Sequence, residues 1–169
     1  MAKGKRKSIV KYILIVLLVV FGIMQFFTIN KTNPKVEEAK DLIAITTPPA
    51  DIEKMIRTAC YDCHSFETKY PWYSNVAPVS WFLGDHIEEG REHLNFSVWG
   101  TYDEDKANHK LHECEEEVEH KEMPLDSYTW THGDAKLSDD QREKLAEWFK
   151  SKMTGPDKGH HHEEHEHEH

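Results

Sequence analysis

Positions 60–64 read Cys60-Tyr61-Asp62-Cys63-His64, a Cys-x-x-Cys pair followed at once by histidine. That spacing is the attachment signature of a c-type haem. Each thiol adds across one vinyl group on the same edge of a porphyrin, so both sulfurs must leave one short turn toward the ring. The next residue then lies beneath the iron, where its imidazole binds axially. The pattern assigns Cys60 and Cys63 as covalent anchors of a single haem c and His64 as the proximal iron ligand. Two other chemistries use the same thiols. A redox dithiol wants a preceding strand inside a βαβ pattern, and neither is visible. A zinc site wants a second ligand pair. Cys114 is the one remaining thiol, although histidines can complete such a site.

Met123-Pro124 supplies a candidate for the opposite axial position. Proline ends the charged helical stretch before it and leaves a thioether in a loop. Thioether sulfur suits both oxidation states of iron and raises the reduction potential relative to a second histidine. Met123 is the expected distal ligand, with His86 and His132 as the alternatives. His86 sits on an apolar stripe and reads first as a hydrogen-bonded core histidine. Arg91 reads either as the partner of a haem propionate or as a surface ion pair. Cys114 falls in a sparse apolar stripe and reads as a small buried hydrophobe.

Helices must position these groups. Ile52, Met55, Ile56 and Ala59 follow the i, i+3, i+4, i+7 pattern and lead directly into the cysteines. Residues 78–96 return to helical periodicity through Val79, Phe82, Leu83, His86 and Ile87, with Pro78 acceptable at the start. Residues 103–122 form a highly charged helix whose apolar positions are Ala107, Leu111, Cys114 and Val118. Ser138 with Gln141 three residues on marks a capping box, ahead of a terminal helix with Leu145, Trp148, Phe149 and Met153 on its core face. Tyr70, Trp72 and Tyr73 lie in the segment 65–77, where Pro71 and Pro78 argue against a continuous helix. They suit either a loop over a porphyrin or plain core filling.

The remainder of the chain frames this head. Residues 8–27 are almost wholly apolar and follow the basic cluster Lys3, Lys5, Arg6 and Lys7. This predicts one transmembrane helix, with the N-terminus in the cytoplasm and the head outside the cytoplasmic membrane; a cleaved signal peptide is the rival. The expected division is 1–28 for a basic stub and membrane anchor in contact with lipid, 29–50 for a tether, 51–154 for the haem domain, and 155–169 for a disordered His/Glu-rich tail. The tether could span about 60 Å at most if extended. The tail's imidazoles and carboxylates suit loose binding of Zn, Cu or Ni. The chain of 169 residues carries a formal net charge of −10, which excludes nucleic acid as a natural partner and favours a redox protein with a basic face.

Beyond the first motif, a longer string of residues resembles the bacterial haem-binding domain family of CxxCH proteins, small single-haem relatives of cytochromes c. It runs through Cys60-Tyr61-Asp62-Cys63-His64-Ser65, then Tyr70-Pro71-Trp72-Tyr73-Ser74-Asn75-Val76-Ala77-Pro78-Val79-Ser80-Trp81, then Gly90-Arg91-Glu92-His93-Leu94-Asn95-Phe96-Ser97. It continues in Met123-Pro124-Leu125, Tyr128, His132, Ala135-Lys136-Leu137-Ser138 and the helix of Trp148. The resemblance covers residues 51–153. It implies covalent haem on Cys60 and Cys63, ligation by His64, and a mostly helical domain. The expected fold is therefore all-α, a small cytochrome c-like helical domain around one covalent haem, preceded by a transmembrane helix. The expected role is one-electron transfer rather than catalysis. A peroxidase or gas sensor with an open distal site, and a metal-handling protein that uses the tail, are the alternatives.

Overall fold

A computed structural model describes residues 2–155 of the chain, with side chains from residue 8 onward. The described residues are helical with no strand, in agreement with the all-α expectation. In chain order the α-helices are α1 (Ala2–Met24), α2 (Leu42–Thr46), α3 (Ala50–Ala59), α4 (Tyr61–His64), α5 (Val79–His93), α6 (Glu104–Glu119), α7 (Asp126–Thr129) and α8 (Asp139–Lys152). Short 3₁₀ turns at Glu38–Lys40, Trp72–Asn75, Phe96–Thr101 and Gly133–Ala135 connect them.

Local sequence accounts for the helices that carry the core. The α3 stripe buries Ile52, Met55, Ile56 and Ala59, with Asp51 and Glu53 in the first turn and Arg57 in the last, the charge order the helix dipole favours. Helix α6 begins where the Asp103 carboxylate accepts the Lys106 amide. Helix α8 begins with the complete Ser138–Gln141 capping box. These two helices lie antiparallel. Asn108, early in α6, bonds Thr154 N and Gly155 O beyond the end of α8, while Arg142, early in α8, bonds the Val118 carbonyl near the end of α6. Leu111, Cys114 and Val118 from α6 and Leu145, Trp148 and Phe149 from α8 join the α3 stripe in one buried core.

The expected transmembrane helix is not found: among the described residues no helix is long and apolar enough to cross a membrane. The reason lies at both ends of α1. The sequence of its N-terminal part is basic as far as Lys11, and the helix stops at Met24, short of the expected end at residue 27. The uncharged part, residues 12–24, spans about 20 Å at 1.5 Å per residue, less than the roughly 30 Å of a bilayer core. The residues that would have extended it are bound to the head instead. The Gln25 amide pairs with both N and O of Ala77, and the Trp81 indole donates to the Phe27 carbonyl. A single-pass membrane anchor, and the localisation inferred from it, are therefore not supported.

Residues 29–50, expected as a tether, pack on the head. Leu42 and Ile43 belong to the core, and the buried Asp41 carboxylate accepts both the Ile43 amide and the Tyr61 hydroxyl. Ile29 seats against Gly84 of α5, where a Cβ would meet it at 2.9 Å. Local sequence hid this, because an Asp-Leu-Ile run between Thr-Pro and Asn-Pro breakers is too short to declare a buried face. The expected tail and its metal-binding histidines lie outside the described residues, apart from Gly155.

Candidate functional site

Helix α3 delivers the Cys-x-x-Cys-His segment. Cys60 closes α3, its amide bonded to the Ile56 carbonyl at 2.9 Å, and Cys63 and His64 follow in the single turn α4. That turn is held from outside. Ser65 Oγ donates to the Tyr61 carbonyl at 2.7 Å, and Thr68 Oγ1 donates to the Asp62 carbonyl at 2.6 Å. Helix α5 crosses close to it at Gly90, where a Cβ would stand 3.1 Å from the Cys63 carbonyl oxygen. The close approach brings the Gly90 carbonyl within 2.8 Å of His64 Nδ1, and the Leu94 carbonyl within 3.2 Å. Two carbonyl acceptors require the proton on Nδ1, so Nε2 carries the available lone pair. An imidazole oriented by a carbonyl on its far nitrogen is the usual outer support of a metal-bound histidine.

Cys60, Cys63 and His64 line one cavity of about 520 Å3, and Met123 lines it too. This volume lies within the range of small-molecule and cofactor sites. Ala59, Leu94, Phe96, Val118, Leu125 and Phe149 make its walls apolar. Met123 arrives there through the backbone. Its amide donates to the Glu117 carbonyl at 3.0 Å, and its carbonyl accepts Arg142 Nη1 at 2.6 Å. Cys114 is buried as expected and also borders the cavity. The residues fit a haem: paired thiols and a neutral imidazole on one stretch of wall, a thioether on another, and hydrocarbon between them.

Of the alternative distal ligands, His86 lines the cavity, with Nδ1 2.9 Å from the Phe82 carbonyl. His132 does not. It stacks on Tyr128, with centroids 4.1 Å apart, and its Nδ1 sits 3.1 Å from the Tyr128 carbonyl. Arg91, which reads as a propionate partner or as a surface ion pair, is not among the residues lining the cavity and is held by neutral acceptors. Its guanidinium donates to Ser65 O, Asn33 Oδ1 and Thr68 Oγ1 at 2.8–3.0 Å. It is a structural clamp between α5, the segment after His64 and the segment before α2. Nor do the aromatics of residues 70–73 cover the cavity. Trp72 is 77% exposed, and Tyr73 pairs with Thr131 and His132. The aromatic walls come from Phe96, Tyr128 and Phe149 instead.

Polar side chains line the cavity as well: Glu89 and His93 from α5 and Lys110, Glu113 and Glu117 from α6. Glu89, His93 and Glu117 are exposed, and Lys110 is buried. The sequence pattern did not mark Lys110, Glu113 or Glu117 as site residues. A signal was present, since 110, 113 and 117 run beside the apolar 107, 111, 114 and 118 stripe at helical spacing. Burial, followed by Glu122 and Glu113, pushes the Glu117 carboxyl above its ordinary range.

Burial also pushes the Cys60 thiol up to about 12 and the Cys63 thiol to about 11, with smaller contributions from Cys63 and Asp62 respectively. A redox dithiol depends on a depressed thiol pKa, so this setting disfavours that alternative. Burial lowers His64 despite the Leu94 and Gly90 carbonyls, which keeps the imidazole neutral and its lone pair free. The zinc alternative finds no support either: among the described residues no group of three or more His, Cys, Asp or Glu converges as a metal site.

No curated protein and no solved structure matches the chain. The family model of the haem-binding domain matches residues 19–151, a stretch that includes α2, the segment before it and the whole cavity. The chain belongs to the haem-binding domain family.

Proposed function

We propose that the chain holds one haem covalently through Cys60 and Cys63, ligated by His64 Nε2 and by the Met123 sulfur, and serves as a one-electron carrier. The observation that carries this reading is the shared cavity: the three motif residues and Met123 line the same apolar space, and His64 already spends Nδ1 on carbonyl acceptors. Bound there, a haem supplies a one-electron iron couple. The chain's own part is to keep both thiols protonated and ready to add S–H across the vinyl groups, to orient the imidazole, and to exclude water with Phe96, Val118 and Phe149. Filling both axial positions keeps small oxidants off the iron and limits rearrangement between oxidation states. The acidic composition suits a redox partner with a basic face.

Expression in a host competent for cytochrome maturation tests the attachment. The denatured chain should weigh its polypeptide plus one haem, and a mass equal to the polypeptide alone overturns the covalent reading. Replacing Met123 by Ala should abolish the weak methionine–iron absorption band and lower the reduction potential. An unchanged spectrum transfers the distal role to His86.

A further inference from the structure

The haem reading leaves open which groups receive the two carboxylates of the prosthetic group. Those carboxylates belong to the same cavity as the porphyrin they are attached to. The cavity is poorly suited to anions at first sight, because Glu89, Glu113 and Glu117 already line it. Arg91 is not among the residues that line the cavity, and its Nε and Nη2 are held by Ser65, Asn33 and Thr68. Among the described residues that line the cavity, Lys110 alone carries an ammonium or guanidinium group. It is only 8% exposed, which is rare for a lysine without an anionic partner. Its Nζ lies 2.5 Å from Glu113 Oε2. An ammonium has three donors, so this contact leaves capacity for a second anion.

The geometry points to Lys110 as the carboxylate anchor of the cavity: its buried ammonium, on the α6 part of the lining, holds a haem propionate. This rests on the haem reading above. Without Lys110, two more carboxylates would enter a cavity already lined by three glutamates, and like charges repel. With it, the propionate gains a charge-assisted hydrogen bond. Lys110 acts on binding and on the field around the iron and makes no bond to the metal.

The test uses the full chain made without cytochrome maturation. It is titrated with ferric haem and, separately, with the iron porphyrin whose two propionates are methyl esters, and porphyrin absorbance is followed. Wild type should bind the diacid more tightly than the diester. Lys110→Gln should weaken the diacid about tenfold, ~1.4 kcal/mol, while changing the diester less than about twofold. Lys110→Arg should restore the preference. Equal losses for both porphyrins would mean that Lys110 only packs, and would overturn the assignment. So would a wild type that makes no distinction between acid and ester, a comparison that requires no variant to fold. Binding of neither porphyrin by wild type would be a different failure, that of the haem site itself.

Discussion

The two walls of the cavity are each clamped by one arginine, and the clamps differ in kind. On the Cys60–His64 side, Arg91 ties together the Ser65 carbonyl and the Asn33 and Thr68 side chains. That side also has two carbonyls on His64 and the close α5 crossing at Gly90. The His64 ring and the backbone around it are held by hydrogen bonds drawn from distant parts of the chain. On the Met123 side, Arg142 reaches two backbone carbonyls, Val118 and Met123. The loop is fixed, yet the thioether itself is positioned only by packing. A covalent anchor and a strong nitrogen ligand need a preset orientation. A thioether ligand tolerates adjustment, since methionine is flexible and adapts to its surroundings.

The largest expected effect comes from breaking the first clamp. Arg91→Leu removes three hydrogen bonds of a charged, partly exposed group. It should cost on the order of 3 kcal/mol in denaturant unfolding, while any folded, haem-loaded fraction retains its methionine–iron band. Gly90→Ala comes next. Its Cβ would press on the Cys63 carbonyl at 3.1 Å, and a backbone group yields little, so a loss of about 2 kcal/mol is expected, read as a lower melting temperature. Arg142→Leu should cost less, about 1–2 kcal/mol, but it should weaken the methionine–iron band of the loaded chain. Equal spectral effects from Arg91→Leu and Arg142→Leu would erase the distinction between the walls.

The smallest effect lies away from the cavity. Glu115 is held below its ordinary range first by the hydrogen bond from Lys150, with burial opposing and His112 assisting. A carboxyl lowered on folding contributes stability that is complete above its unfolded value, near 4.5. The contribution is lost as pH falls through the lower folded value. Glu115→Gln should therefore flatten the acid limb of stability below about pH 4.5 and leave the neutral-pH cavity spectrum unchanged. Acid titrations of wild type and variant, followed by circular dichroism, check this. An identical acid limb in both would show that the Lys150 contact between α6 and α8 contributes nothing.

What could be read from residues alone was whatever depends on short spacing. The α3 stripe, the capping box of α8 and the proximity of two thiols to an imidazole are consequences of helical geometry over a few residues. The transmembrane expectation counted apolar residues correctly but could not show that Gln25 and Phe27 would be captured by Ala77 and Trp81. Arg91 read as a propionate partner or a surface ion pair, because local sequence does not show that its acceptors include Asn33, far upstream. Phe149 had a helical core-face position to mark it, whereas Trp72, in the proline-broken segment, had no period to show that it would be exposed.

From sequence alone, the protein's chemistry was determined at the level of groups: a pair of thiols and an imidazole that must emerge together, on helices whose apolar faces are marked by period. Tertiary structure decided what surrounds those groups: Met123 on the same cavity, residues 29–50 on the head, and Lys110 but not Arg91 in the cavity's lining. The division has a physical cause. Period and capping depend on bonds and contacts within a turn or two, while a cavity is the space left when helices far apart in the chain pack, and no local pattern specifies its walls.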